Sequence, residues 1–377
     1  MNFEITEAQE ILRQTVRRFL AESAPLAPYV RGALTDPRGT SDSVWRGLAG
    51  LGLTGLLVPE EMGGSALGMI EMGIVCEELG RAVHPGPFAS SALVATSLLR
   101  EVATDDEQRD LLPAIASGQT VATVAVYEPG KRYDWRKPAT QASRRGDEMR
   151  LTGVKSMVGD AIAADVLLVV AHAPEEGRPG VFAVGKASEG LSIEASPSVD
   201  GTRKLATVVL DGTLARRLGS GDATSAVATA LERAAVALAA DGLGAAARAH
   251  ELALDYARER QQFQRPIGSF QAVQHLLVDM LQDLELARAG IYYALWAADQ
   301  ADPQERRRAA AMAKAFASAR LPGVGASAIQ IFGGVGFTWE YDAHLFYKRV
   351  LAMQAGFGDE ETHLDDLAAL VVDAPSS

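Results

Sequence analysis

The stretch that decides the fold of this chain is YARERQQFQRPIGSFQAVQHLLVDM, from Tyr256 to Met280. It overlaps the end of an alanine-rich pattern of helical period that begins at Ala223 and is predicted to continue to Gln264. Pro266 then interrupts the pattern, because proline cannot donate a backbone hydrogen bond inside a helix. The residues after the break resume a helical pattern. The sequence therefore predicts two long helices joined by a short connection.

Three side chains around this break are suited to bind an anionic ligand. The planar guanidinium of Arg260 can bind a doubly charged pyrophosphate through two parallel hydrogen bonds. Phe263 is expected to pack beside the bound group, and the amide of Gln271 can donate to the pyrophosphate or to a chain attached to it. These residues are therefore candidate cofactor-binding residues.

A second candidate segment is QIFGGVGF, from Gln330 to Phe337. Gly333 and Gly334 lack a Cβ atom, so the backbone there can turn sharply and approach a ligand closely. The candidate cofactor-binding residues of this segment are Gln330, Ile331, Phe332, Gly333 and Gly334.

The chain divides into three regions of different sequence pattern. Residues 1–120 are helical in pattern, begin with a capping box of Thr6 and Gln9, and predict an all-α domain. Residues 121–213 hold short β-rich runs separated by turn residues, which predict a small antiparallel β-barrel or sandwich. Residues 222–373 return to alanine-rich helices and predict a bundle of four or five helices. The expected fold class is α+β, with an N-terminal all-α domain, a middle antiparallel β-barrel and a C-terminal four-helix bundle.

The composition limits the classes of function. The 377 residues, 48% of them apolar, suffice for a large buried core, and the formal charge of −12 disfavours binding to nucleic acid. Cys76 is the single cysteine, which excludes an intramolecular disulfide and a multi-cysteine metal site, and no metal site is predicted. Apolar runs such as the one at Val166 are far shorter than the ~20 residues of a membrane span. A cytoplasmic protein is expected.

The stretch from Tyr256 to Met280 closely resembles the flavin-binding signature of the acyl-CoA dehydrogenases, and Gln330 to Phe337 resembles that family's Gln-x-x-Gly-Gly segment. Weaker similarity covers nearly the whole chain. The resemblance implies an FAD cofactor at a subunit interface, an acyl-CoA substrate, electron-transfer flavoprotein as electron acceptor, and a homo- or hetero-oligomer (dimer or α2β2 tetramer). It also implies that Arg260, Phe263 and Gln271 reach FAD bound mainly by the other protomer.

The family's catalytic base, a glutamate that removes the α-proton of the thioester, has no counterpart at its usual positions. Aligning GFGDEETH with the C-terminal motif puts Phe357 at one of them, and Ala234 stands at the other, on the long helix. Asp241 shares a helical face with Ala234 and stands where a similar subfamily has glutamate, so Asp241 is the candidate base. Glu232 points the other way. The acidic run from Asp359 to Glu361 is a further alternative, although such runs are typical of a solvated surface.

The predicted barrel departs from the family pattern in two places. The segment YEPGKRYDWRK at Tyr127 replaces a Thr-Glu-Pro-Gly-Ala-Gly-Ser-Asp motif, and Met157 and Gly159 replace the Trp and Thr that contact the isoalloxazine ring. These replacements, with FGD in place of the glutamate segment, resemble a bacterial subfamily of heterotetrameric enzymes that act on steroid side-chain CoA esters.

Three functions remain open from the sequence. The first is an FAD-dependent acyl-CoA dehydrogenase subunit that forms an α,β-double bond in a bulky or branched acyl-CoA, with hydride transfer to flavin N5. The second is a non-catalytic partner that completes the FAD site of a heteromeric complex, which the residues at Phe357 and Ala234 favour. The third is a flavin monooxygenase or an acyl-carrier-protein-linked dehydrogenase, because a fold does not fix the chemistry.

Overall fold

The computed structural model describes residues 5–146, 148–173 and 177–372. Within these ranges the helices are α1 (Glu7–Ser23), α2 (Arg31–Ala33), α3 (Asp42–Gly50), α4 (Met69–Arg81), α5 (Thr96–Val102), α6 (Asp105–Ala116), α7 (Thr224–Glu259), α8 (Gln271–Gln300), α9 (Pro303–Phe332), α10 (Ala343–Ala355) and α11 (Glu360–Val372). The strands are β1 (Ala122–Ala125), β2 (Gln141–Arg145), β3 (Glu148–Gly159), β4 (Val166–Ala173), β5 (Arg178–Gly185), β6 (Leu191–Ser196), β7 (Leu205–Leu218), β8 (Gln261–Gln262) and β9 (Arg265–Pro266).

The chain packs into two compact units. The bundle unit comprises residues 5–26, 69–84 and 235–372, and the barrel unit comprises residues 27–68 and the described part of 85–234. The bundle unit holds α1, α4, most of α7, α8 to α11, β8 and β9, while the barrel unit holds α2, α3, α5, α6 and β1 to β7. Across the three described ranges, no helix is long and apolar enough to span a membrane.

The barrel unit is built on a closed ring of five strands. The ring runs from β2 through β3, β7, β5 and β4 and returns to β2, while β1 pairs with β4 and β6 pairs with β7. Side chains that point inward from successive strands form the core, in which Leu151, Leu167, Phe182 and Val208 are fully buried. The predicted β-barrel is confirmed.

The barrel differs in detail from the predicted antiparallel sheet. β1 runs parallel to β4, and Gln141 of β2 pairs in parallel with His172 of β4. Parallel neighbours cannot be joined by a tight hairpin, so other strands lie between them in the sequence. β2 and β6 were not predicted from the sequence. Most of their side chains are exposed or half-buried, and therefore no apolar run marks them.

Small residues let α4 and α7 cross closely in the bundle unit. A Cβ atom added to Gly80 of α4 would lie 1.8 Å from the carbonyl oxygen of Asp241 in α7, and one added to Gly244 would lie 1.8 Å from that of Glu77. The helices therefore meet backbone to backbone, and only glycine fits at either position. Beside them, α9 packs against α8, α10 and α11. The predicted C-terminal helical bundle is confirmed.

Local signals explain where the helices begin and end. At α1, Thr6 Oγ1 accepts from the N–H of Gln9 and Gln9 Oε1 accepts from the N–H of Thr6, as the capping box predicts. The prediction that the long helix continues to Gln264 is wrong, because α7 ends at Glu259 and β8 and β9 form a hairpin after it. Phe263 and Gln264 have φ values of 52° and 66°, which a two-residue type I′ turn requires and a helix excludes.

Candidate functional site

The two predicted cofactor-binding segments meet in an aromatic cluster of the bundle unit, formed by Tyr256, Phe332 and Tyr341. Tyr256, near the end of α7, stacks on Phe332 at the end of α9, with ring centroids 4.5 Å apart. Tyr341 lies edge-on to both rings, 5.9 Å from Tyr256 and 5.5 Å from Phe332. Aromatic pairs of this kind contribute about 0.5–1.5 kcal/mol each beyond the burial of their area. The cluster therefore holds the start of the hairpin close to the Gly-Gly turn.

The hairpin after α7 presents charged and aromatic side chains to solvent. Arg260 is exposed, and its N–H donates to Tyr256 O at 2.8 Å. Phe263, at the tip, is 85% exposed although its ring is apolar. Phe270 supports the tip, because it lies edge-on to Phe263 at 6.0 Å and carries the guanidinium of Arg265 4.0 Å above its ring. An exposed aromatic ring held in a strained turn is typical of a ligand site or an interface.

The start of α8 is suited to an anion. Gln271 is its first residue and is exposed, and Phe270 at the N-cap has an apolar side chain that cannot accept from the first backbone N–H groups. The positive end of the helix dipole and these N–H groups favour a negative ligand. Together with the guanidinium of Arg260, they fit the pyrophosphate of a flavin dinucleotide.

The Gly-Gly segment exposes its backbone and buries two of its side chains. Gly333 ends α9 with φ 67° and ψ −145°, a conformation essentially confined to glycine. Gln330, Gly333 and Gly334 are exposed, and a Cβ built on either glycine would have no heavy atom within 4 Å among the described residues that are not its neighbours in the chain. Ile331 and Phe332 are each only 7% exposed, so their side chains pack within the chain itself. A ligand here would therefore meet mainly backbone.

Asp241, the predicted base, lies in a buried ion pair. Asp241 and Arg349 are 2% and 1% exposed, respectively. Arg349 Nε donates to Asp241 Oδ1 at 2.8 Å, and its Nη2 donates to Asp241 Oδ2 at 3.1 Å and to the carbonyl of His84 at 2.7 Å. A guanidinium on both oxygens stabilises the ionised carboxylate and occupies lone pairs that a base would use. This geometry is that of a structural pair, and the catalytic role of Asp241 stays a prediction.

The other positions considered for the base offer no better carboxylate. Ala234 is 1% exposed, and Phe357 lies half-buried in the turn between α10 and α11. Asp359 Oδ1 accepts from Thr362 N at 3.0 Å and from Thr362 Oγ1 at 2.7 Å, so Asp359 caps α11. Glu361 follows in the first turn of α11 and is exposed.

Sequence reasoning missed two buried cations of the bundle unit. Lys314 is 0% exposed, and its position in the apolar run AAAMAKAFASA is a signal that could have found it. Arg349 carries no such signal, because its helix alternates polar and apolar residues in the ordinary way. Its partner Asp241 lies 108 positions earlier in the chain, so only the fold reveals the pair.

In the barrel unit, the carboxylate of Glu128 joins the two ends of the loop that departs from the family pattern. Its Oε1 accepts from Lys155 Nζ at 2.7 Å, and its carboxylate accepts from the N–H groups of Ala139 and Thr140 at 2.6 and 2.8 Å. Burial raises the pKa of Glu128, but these hydrogen bonds outweigh burial and lower it to about 2. One ionised carboxylate therefore closes the loop between Glu128 and Ala139.

Met157 and Gly159 lie near the end of β3, also in the barrel unit. Met157 has φ 53° and is 45% exposed, while the carbonyl of Gly159 accepts from Thr123 Oγ1 at 2.6 Å. The neighbouring Ser156 N–H donates to Tyr127 O at 2.9 Å, which joins this strand to the Glu128 loop. The exposed Met157 side chain is available to contact a ligand.

A cavity of about 560 Å³ lies among α1, α4 and α8 of the bundle unit. Its charges are paired: Glu77 accepts from Arg288, and Arg17 donates to both carboxylate oxygens of Glu78 at 2.8 and 2.7 Å. This cavity is therefore a junction of ion pairs between helices, and it lacks the candidate cofactor residues. The lining residues are Ile5, Arg13, Arg17, Glu77, Arg81, Glu285, Arg288, Ala289 and Tyr292.

Comparison with known proteins gives consistent matches along the chain. Domain profiles of the acyl-CoA dehydrogenases match in order, the N-terminal domain over residues 6–119, the middle domain over 123–212 and the C-terminal domain over 222–372. The chain is 30% identical to benzylmalonyl-CoA dehydrogenase of Aromatoleum aromaticum, over 96% of this chain and 97% of that protein. It is also 30% identical to the acyl-CoA dehydrogenase IpdE2 of Mycolicibacterium smegmatis, over 97% of this chain and 100% of that protein.

Solved structures show the same similarity. A variant of the Tcur3481–Tcur3483 steroid ACAD superposes with a TM-score of 0.89 at 33% identity, covering 98% of this chain and 99% of that one. The ChsE4–ChsE5 complex from Mycobacterium tuberculosis superposes with a TM-score of 0.91 at 25% identity, covering 100% of both chains. The resemblance indicated by the two flavin motifs is confirmed. The chain belongs to the acyl-CoA dehydrogenase family, whose members are FAD-dependent oxidoreductases that act on CH–CH bonds.

Proposed function

We propose that this chain is a subunit of an FAD-dependent dehydrogenase that forms an α,β-double bond in a bulky or branched acyl-CoA thioester, with electron-transfer flavoprotein as the electron acceptor. The observation that carries the proposal is the aromatic cluster of Tyr256, Phe332 and Tyr341, which brings both flavin motifs together. The replacement of larger residues by Met157 and Gly159 and the similarity to a steroid ACAD support the bulky substrate.

Different residues of this chain would contact different parts of the cofactor. Arg260 and the first N–H groups of α8 would bind the pyrophosphate, and Gln271 would donate from its amide to the same region. The exposed backbone of Gly333 and Gly334 would contact the ADP portion. Bound FAD supplies the two-electron acceptor for the β-hydride of the thioester.

The exposure of these residues supports an assembly in which they complete a neighbour's site. Phe263 is 85% exposed and Phe337 is 56% exposed in the single chain, although both rings are apolar. In the assembly, these rings are covered by the cofactor and by the partner subunit. The oligomer is a dimer or an α2β2 tetramer with FAD at each interface.

The test is to express the chain alone and together with neighbouring dehydrogenase genes, and to measure assembly mass and FAD per chain. Anaerobic mixing with a panel of short, branched and steroid side-chain CoA thioesters follows, with bleaching of the flavin spectrum as the readout. Bleaching that is strongest with the bulky thioesters is expected. If no thioester bleaches the flavin spectrum, either with the chain alone or with the complex, the proposal is contradicted. Oxygen consumption coupled to turnover would instead indicate a monooxygenase.

A second candidate function is that of a non-catalytic partner whose FAD-contacting residues serve a catalytic neighbour. It is favoured by the ion pair of Asp241 with Arg349 and by the apolar side chains at Ala234 and Phe357. The discriminating variant is Asp241→Asn in the assembled complex. A turnover rate that falls by about two orders of magnitude, with normal FAD content and an unchanged urea midpoint, supports Asp241 as the base, whereas an unchanged turnover rate excludes Asp241 and supports a base in the partner subunit. Glu232→Gln, on the same helix, is the control.

A further inference from the structure

The turn between α10 and α11 holds an aromatic residue in a strained conformation. Phe357 has φ 56° and Gly358 has φ 105°, so both lie in the left-handed region. Glycine adopts this region freely, whereas a residue with a large side chain does so only where its surroundings enforce it. The side chain of Phe357 is half-buried, so the turn does not serve simply to place it in the core.

Lys314 of α9 fixes one side of the turn. Its side chain is 0% exposed. Its Nζ donates to Gly358 O at 2.8 Å, to Ser318 Oγ at 2.9 Å and to Gln354 O at 3.3 Å. Burial lowers the pKa of Lys314 to about 7, and the negative charge of Asp359 opposes this shift. When the amine is protonated, the three oxygens can accept all three ammonium protons. These bonds join the last turn of α10 to the strained turn.

His363 of α11 fixes the other side. Its Nε2 lies 3.1 Å from the carbonyl oxygen of Phe357 and must be the donor, because a carbonyl only accepts. A Cβ atom added to Gly358 would lie 2.7 Å from the same Nε2, so the imidazole packs where only glycine leaves room. Two consecutive carbonyl groups, those of Phe357 and Gly358, are therefore held from two different helices.

We propose that Lys314 and His363 form a clamp that positions Phe357, and that the Phe357 ring forms part of the surface that binds the apolar acyl chain of the thioester. The inference rests on the proposed dehydrogenase function. It is supported by the alignment that puts Phe357 at the position of the family's base, and by Asp359, which turns away to cap α11. Lys314 and His363 are positioning residues, and Phe357 is the residue in contact with substrate.

The contact is tested on the FAD-loaded complex with Phe357→Gly, which relieves the backbone strain and removes the ring. Its Kd for a thioether analogue of the bulky acyl-CoA, read from the flavin spectrum, is expected to rise at least tenfold. Its urea midpoint is expected to equal or exceed that of the wild type, and its FAD content to stay unchanged. A wild-type Kd in Phe357→Gly would overturn the contact.

Lys314→Met tests the clamp by the same titration, and its Kd is expected to rise at least fivefold. Lys348→Met, which removes a lysine of α10 outside the clamp, is the control and should keep the wild-type Kd. A double-mutant cycle adds a readout independent of substrate: Lys314→Met should lower the urea midpoint more in the wild type than in Phe357→Gly, where no strain remains. Equal effects in both backgrounds would overturn the clamp.

If the wild-type complex binds no thioester, the proposed function is contradicted. The role of the Phe357 ring in binding the acyl chain is then contradicted as well. The outcome of the double-mutant cycle does not depend on that failure. The two results are therefore distinguishable.

Discussion

Lys314, Asp241 and Arg349 are charged side chains that the bundle unit buries almost completely. Each is surrounded by hydrogen-bond partners, because a buried charge without them would be very costly. Most of these partners lie outside the residue's own helix: Arg349 of α10 bonds Asp241 of α7 and the carbonyl of His84. The buried charges thus fix how these helices meet.

We expect Arg349→Met to lower the free energy of unfolding by about 3–5 kcal/mol, because it leaves the Asp241 carboxylate buried without its cation. Urea unfolding of the FAD-loaded protein measures the change. The control is Arg38→Met, which breaks an ion pair whose side chains are 53% and 66% exposed, and it should cost less than about 1 kcal/mol. A cost for Arg349→Met as small as that of the control would contradict a structural role for the pair.

His363 is expected to make the free energy of unfolding depend on pH between the unfolded and folded values of its pKa. Burial first, and then the charge of Lys314, lowers the pKa of His363 from 6.5 to about 4. The unfolded chain therefore binds more protons than the folded one between these values, and the free energy of unfolding falls as the pH falls from 6.5 towards 4. His363→Gln should flatten this part of the curve, measured by urea unfolding at each pH. Parallel curves for the two proteins would show that the window has another cause.

Among the elements, the hairpin of β8 and β9 has two turn residues with strained backbone, Phe263 and Gln264, and both are exposed. Gln264→Gly should raise the free energy of unfolding by about 0.5–1 kcal/mol, because glycine adopts the positive φ without the clash of a Cβ atom. Phe263→Gly relieves the same kind of strain at the other turn position but removes the exposed ring. FAD per chain should therefore fall in Phe263→Gly and stay normal in Gln264→Gly. Equal FAD content in the two variants would argue against a role for Phe263 at the cofactor.

The loop between Glu128 and Ala139 offers a second prediction at this scale. Glu128→Gln weakens the bonds at the base of the loop, so trypsin should cut faster after Lys131, Arg132 and Arg136. Because the pKa of Glu128 is lowered from 4.5 to about 2, its contribution to stability is complete above pH 4.5 and is lost as the pH falls towards 2. Glu148→Gln, which alters an exposed carboxylate, is the control and should leave the cleavage rate unchanged.

At the scale of the whole molecule, cofactor binding should govern thermal stability. A ligand that binds only the folded state stabilises it by about 1.4 kcal/mol for each tenfold rise in concentration above its Kd. Added FAD should therefore raise the unfolding temperature of the assembled protein, and Arg260→Met should weaken this dependence. The matched control is Arg258→Met, which removes an exposed arginine two positions earlier. Identical FAD dependence in both variants would remove Arg260 from the cofactor site.

The amino-acid sequence is sufficient to predict the architecture and to propose where the cofactor motifs lie. Short β-rich runs mark β3, β4, β5 and β7, and alanine-rich helical sequence marks α7 to α9, because these signals lie within each local element. The motif from Tyr256 to Met280 indicated flavin binding because its residues are close in sequence. Local patterns could not mark β2 and β6, whose side chains are largely exposed.

The surroundings of each candidate residue depend on how distant parts of the chain pack together. The hairpin ended α7 before Gln264, the aromatic cluster joined Tyr256 to Phe332, and Arg349 was found on the carboxylate of Asp241. The physical reason is that burial and pairing depend on groups tens to hundreds of positions apart in the chain. The sequence could therefore name Asp241 as an acid in the right helix, and only the fold supplied the arginine that opposes its use as a base.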